Sequence, residues 1–131
     1  MSTADLAAAL LAVFEGERLT AYRDTGGVWT IGFGHTKDVT AGMTITHDQA
    51  VEFLTQDAAA LLHMIEDRSA LEGAALVSFG YNTGVRTLQR VLDGEDSIGN
   101  PIHTTDRTGN VRPGLVARRQ LEAALIEVAQ Q

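Results

Sequence analysis

The stretch FEGERLTAYRDTGGVWTIGFGHT, residues 14–36, constrains this chain most, because it sets five glycines among charged and aromatic residues. So dense a run of glycine breaks any helix and makes the chain turn repeatedly. Two short strands are expected, about Ala21–Arg23 and Val28–Phe33, joined by Asp24-Thr25-Gly26-Gly27. The glycine pair supplies the positive-φ positions that such a turn needs. Alternation sends Trp29, Ile31 and Phe33 to one face, which can pack. Val28, Thr30 and Gly32 go to the other, with Gly34 in step, so that face is expected to be nearly bare around Thr30. The same stretch carries two carboxylates, Glu15 and Asp24. An ordinary turn-rich hairpin and the floor of a binding cleft both fit this pattern.

Around the hairpin the sequence reads as helix. Ser2 with Asp5 resembles a capping box, and Leu6, Leu10, Val13 and Phe14 make a stripe at helical spacing, so a first helix is expected over Thr3–Glu15. Gly16 ends it. Thr46 with Gln49 caps a longer helix, about His47–Glu66, whose apolar side runs through Val51, Leu54, Ala58, Leu61, Leu62 and Ile65. At ~1.5 Å per residue it would be about 30 Å long, enough to join two lobes. Ser69 with Glu72 opens the next helix, with Gly84 beyond its end. A shorter helix follows over Arg86–Asp93, and the last over Leu115–Ala129. The polar segment Glu95–Gly114 offers only Ile98, Ile102 and Val111 for burial. It is either a functional loop or the site of short structure.

Composition excludes several functions. There is no cysteine, hence no disulfide and no thiolate chemistry. The net charge of −7 argues against general nucleic-acid binding. No apolar run reaches membrane-spanning length, and MSTADLAAALLAVFEG lacks the basic start and cleavage site of a signal peptide. The four histidines are scattered, none with an i, i+4 partner, so no metal site and no cofactor are expected. Arg107, Arg112, Arg118 and Arg119 crowd one stretch against the single acid Asp106; a solvated C-terminal face and a functional basic patch both fit. The carboxylates offer more. Glycoside cleavage takes one carboxylic acid for the leaving oxygen and a second carboxylate to activate water or attack. Glu15, in the last turn of its helix beside Phe14, is the candidate acid. Asp24, in an exposed turn, is the candidate for the ionised partner, and the hydroxyl of Thr30 could share a water with it.

These residues resemble a known family. Phe14-Glu15-Gly16, Arg18-Leu19, Ala21-Tyr22, Asp24 and Trp29-Thr30-Ile31-Gly32-Phe33-Gly34-His35-Thr36 are similar to the N-terminal signature of the phage-type lysozymes, the endolysins of glycoside hydrolase family 24. Ala75-Leu76-Val77-Ser78-Phe79-Gly80-Tyr81-Asn82-Thr83-Gly84 resembles that family's helix ending at the cleft, and Pro113-Gly114-Leu115-Val116-Ala117-Arg118-Arg119 the start of its last helix. The region from Gly84 to Pro113 is shorter than the family's, with the polar run in place of a further helix.

The resemblance implies an α+β, lysozyme-like fold, mostly helical. It would be one domain over 1–131, with helix one and a β-hairpin lobe over about 1–45, a linking helix over about 46–67 and a helical lobe over about 68–131. It implies Glu15 as general acid and Asp24 and Thr30 as holders of the attacking water. Thr36, Tyr81, Asn82 and Thr87 would contact glycan, His35 would bond structurally to a carboxylate, and Arg118 or Arg119 would reach back toward Glu15. The implied reaction is inverting hydrolysis of the β-1,4 bond between N-acetylmuramic acid and N-acetylglucosamine in peptidoglycan. The implied setting is host lysis by a monomer that gathers in the host cytoplasm, does not insert in membrane, and reaches the wall through a holin. A virion-borne form, a lytic transglycosylase on the same fold and an inactive wall-binding module are the alternatives.

Overall fold

The computed structural model describes residues 1–131. Helix α1, Thr3–Phe14, starts at the expected capping box: Ser2 accepts from the Asp5 amide at 3.1 Å, and the Asp5 carboxylate accepts from the Ser2 amide at 3.2 Å. Gly16, at φ 79°, turns the chain out of it. Strands β1, Arg18–Arg23, and β2, Trp29–Gly32, pair antiparallel, with Tyr22 opposite Thr30 and Arg23 opposite Trp29. β1 is longer than expected because its free edge finds a partner. The Ala21 amide donates to Met43 O and the Ile45 amide to Leu19 O.

Three details of the hairpin differ from the sequence expectation. Only Gly27 of the glycine pair takes positive φ, 80°. The Gly27 amide bonds Asp24 O and the Asp24 amide bonds Val28 O, a tight turn closed by one left-handed residue. β2 stops at Gly32, whose φ of 68° turns the chain so that Ile31 and His35 exchange both backbone hydrogen bonds. And the face of Thr30 is not bare. Thr30 is only 4 % exposed, because β2 lies between β1 and the following helix and buries residues on both of its sides. Trp29, on the face expected to pack, is half-buried under the Arg23 guanidinium instead.

The expected linking helix is two helices, α2, His47–Asp57, and α3, Ala59–Met64, broken at the buried Ala58 (φ −97°, ψ 13°). Thr55 donates to Val51 O four residues back, a bond that bends helices. The break also lets each piece face its own neighbours: α2 packs on β2 and α1, α3 on the helices that follow. Those are α4, Ala70–Thr83, and α5, Val85–Leu92. α4 is the centre of the core, with every residue from Gly73 to Gly80 buried. Leu11, Leu54 and Leu88 close around it. The last helix, α6, Pro113–Ala129, begins with proline at its first position, where the missing amide costs nothing, and packs on α4.

The polar segment holds short structure. Pro101–Thr104 form a 3₁₀ turn, and Thr105 pairs with Val111 across a turn built on Asp106. Ile98 is buried in the core, while Ile102 and Val111 stay exposed. Asp96 accepts from Ser97, Asn100 and His103; Asp106 accepts from Thr108, Asn110 and Arg112. The Asn100 amide above all holds Asp96, and the Thr108 hydroxyl above all holds Asp106, at a pKa of about 2.

Candidate active site

Glu15 caps the C-terminus of α1 and its side chain is 35 % exposed. Its Oε1 accepts from Arg118 Nη1 of α6 at 2.6 Å; Oε2 accepts nothing from the protein. Arg118 is buried over the Phe14 ring and is held by three other contacts, to Ser78 O at 2.8 Å, Ser78 Oγ at 3.4 Å and Glu122 Oε2 at 3.3 Å. The guanidinium therefore fixes one carboxyl oxygen and leaves the other without a protein partner, and Glu15 lines a pocket of about 480 Å³. Phe14, Glu15, Asn82, Arg112 and Arg118 line that pocket.

Asp24 and Thr30 stand on the hairpin. Asp24 Oδ1 accepts from the amides of Gly26 and Val28, each at 2.9 Å, so the turn that positions the residue also fixes its carboxylate. Oδ2 has no protein partner. The Thr30 hydroxyl donates to Val28 O at 2.9 Å and so can only accept from anything else. Neither residue lines the pocket at Glu15.

Tyr81, at the C-terminal end of α4, donates to Phe33 O at 2.6 Å and ties that helix to the hairpin. Burial first, then the charges of Asp57 and Glu15, push its phenol up to about 12, so it remains a donor at any working pH. Asn82 follows it in the Glu15 pocket, its Oδ1 accepting from Arg119 Nη2 at 2.9 Å. This contact leaves the Asn82 amide nitrogen free to donate. Thr36 is exposed just past the hairpin. Thr87 is half-buried on α5, its hydroxyl makes no hydrogen bond and it does not line this pocket. His35 is buried, stacked on Phe53 at 4.2 Å and 2.7 Å from Asp57, which pins the hairpin's last turn to α2.

The family model for phage lysozyme matches residues 12–122. The chain belongs to the phage lysozyme family. Among curated phage lysozyme relatives, the endolysin of Acyrthosiphon pisum secondary endosymbiont phage 1 is 32% identical over 92% of this chain and 94% of its own length. The SAR-endolysin of Enterobacteria phage P21 is 31% identical over 89% and 79%. Of solved structures, a mutant of P22 lysozyme superposes with a TM-score of 0.79 at 26% identity, over 97% of this chain and 99% of that one. The muramidase domain of SpmX from Asticaccaulis excentricus gives 0.70 at 26%, over 92% and 93%. This phage lysozyme is thus a glycoside hydrolase of the muramidase kind, with a peptidoglycan-lytic function and the fold of the phage endolysins. No helix is long and apolar enough to cross a membrane.

Sequence reasoning did not single out Ser78 or Glu122, which complete the setting of this lysozyme's Arg118. The four-residue step from Arg118 to Glu122 was the available signal, since such pairs share a helix face. Nor does the basic stretch form a patch. Arg118 and Arg119 are buried and Arg112 is paired with Asp106 at 2.6 Å, which leaves Arg107.

Proposed function

We propose that this phage lysozyme hydrolyses the β-1,4 bond between N-acetylmuramic acid and N-acetylglucosamine, with inversion, with Glu15 as the acid. The observation that carries the reading is the divided carboxyl of Glu15, a pocket-lining residue: Oε1 is bound by Arg118 and Oε2 has no protein partner. An acid donating to a glycosidic oxygen has to carry its proton on the open oxygen, and here that oxygen is defined. The hairpin supports the second half of the reaction. A water has two protons to give; Asp24 Oδ2 and Thr30 Oγ1 are both acceptors, so a water held by both keeps a lone pair for the anomeric carbon. Thr36, Tyr81, Asn82 and Thr87 are the proposed glycan contacts, Asn82 as donor. We read residues 1–131 as one unit, acting as a monomer in host lysis, held in the host cytoplasm and released to the wall through a holin.

Turbidity of permeabilised Gram-negative cells tests the acid. Wild type is expected to clear the suspension and Glu15→Gln to leave it turbid; equal clearing means that Glu15 is not the acid. Mass spectrometry of the released sugars tests the water. Reducing muramic ends are expected, and anhydro-muramic ends would replace hydrolysis by transglycosylation.

A further inference from the structure

Glu122 is the charged side chain that the proposed hydrolysis leaves without a task. It is 0 % exposed, on α6, between the two buried arginines. Three donors converge on its Oε2: the Ser78 hydroxyl at 2.6 Å, Arg118 Nε at 3.3 Å and Arg119 Nη2 at 3.4 Å. Arg119 Nε stands 2.9 Å from Oε1, off the hydrogen-bond axis. Ser78 Oγ accepts from Arg118 while donating to Glu122, a pattern that suits an ionised Glu122. The facing charges are Glu15 from α1, on Arg118, and Arg118 and Arg119 from α6 itself, while α4 contributes the neutral Ser78 and Asn82. From the 3₁₀ turn, His103, bound to Asp96, meets the Phe79 ring on which Arg119 also lies. With both carboxyls ionised the four groups sum to zero charge, and with Glu15 protonated as the acid they carry one net positive charge.

Stability is a poor reason for this carboxylate. A fully buried ion pair often contributes no more than an apolar side chain of the same volume. Burial also pushes the Glu122 carboxyl up, against Ser78 and both guanidiniums, and pushes Arg119 down. What an apolar residue in its place would lose is direction and charge balance. Arg118 would keep its Nη1 bond to Glu15 but lose the partner that fixes Nε. Two cations would then face Glu15 alone, opposing the protonated form that an acid must hold.

We infer that Glu122 is a positioning residue for the hydrolysis, acting on Glu15 through Arg118: it aligns both guanidiniums and cancels the charge of the one that Glu15 does not pair. The inference rests on Glu15 being the acid. Its test measures kcat and KM against pH for wild type, Glu122→Gln, Arg119→Gln and the double variant, on soluble glycan fragments. Glu122→Gln keeps the shape and removes the charge. It is expected to lower kcat about tenfold near neutrality, to leave KM within about twofold because the residue does not reach the pocket, and to move the alkaline limb of the kcat profile about one pH unit toward acid. Arg119→Gln is expected to move that limb the other way, with a higher KM because Asn82 loses its anchor. The double variant should bring the limb back toward wild type. If Glu122→Gln does not fold, Arg119→Gln carries the test of sign alone. A limb that stays in place in every folded variant, with only the melting temperature changed, makes Glu122 structural and overturns the inference. Activity in Glu15→Gln is a different failure, of the acid itself.

Discussion

Gly80 has no room for a methyl group. A Cβ there would stand 2.7 Å from Leu61 Cδ2 and 3.0 Å from Leu88 Cδ2, where α4 crosses α3 and α5. Gly80→Ala is therefore expected to destabilise the protein by about 1–3 kcal/mol through overpacking. Urea unfolding measures it, and an unchanged midpoint would show that both leucines can move aside. Single residues were unevenly legible in the sequence. Glu15, Asp24 and Thr30 drew attention by type and spacing, and the chemistry their positions permit could be stated at once. The burial of Thr30 could not, because alternation assigns faces without saying what covers them. Glu122 was hidden for a related reason. In RRQLEAALIEV a glutamate three or four residues from two arginines looks like a solvated helix surface, and only the reach of Arg118 to another helix puts it indoors.

Elements were legible where their ends carry their own chemistry. Ser2, Thr46 and Ser69 each accept from the amide three residues on, so the starts of α1, α2 and α4 fall where the sequence puts them. The break at Ala58 carries no such mark. It lies in an alanine-rich run with no glycine or proline, and two packing directions decide it. The segment after α5 was opaque because its order comes from side chains gripping nearby backbone and not from periodicity. That origin sets its response to acid. Asp96 and Asp106 have folded-state pKa values of about 2, lowered from 3.8. A lowered value stabilises the ionised, folded form: the contribution is complete above the unfolded value and is lost as pH falls through the folded one. Protection of the Thr108 and Asn110 amides, both bound to Asp106, is expected to hold down to about pH 4 and to fade between there and about pH 2. Hydrogen exchange followed by NMR checks it, and fading already at pH 5 would contradict the network.

On the scale of the whole molecule, charge dominates the encounter with substrate. The chain carries −7, and its cationic stretch is mostly consumed internally. An acidic protein approaching an anionic wall is slowed by repulsion, which salt screens. Lysis of isolated walls is expected to speed up about two- to threefold between 10 and 100 mM salt; a steady fall over that range would mean that a local cationic contact governs binding after all. The molecule's largest loop of chain has another consequence. The bond from Arg118 to Glu15 joins residues 103 apart. During synthesis the hairpin and α1 leave the ribosome long before α6 does, so a nascent chain bears its carboxyl without the guanidinium that aims it. If Glu15 is the acid, a message interrupted before Arg118 is expected to yield an inert fragment.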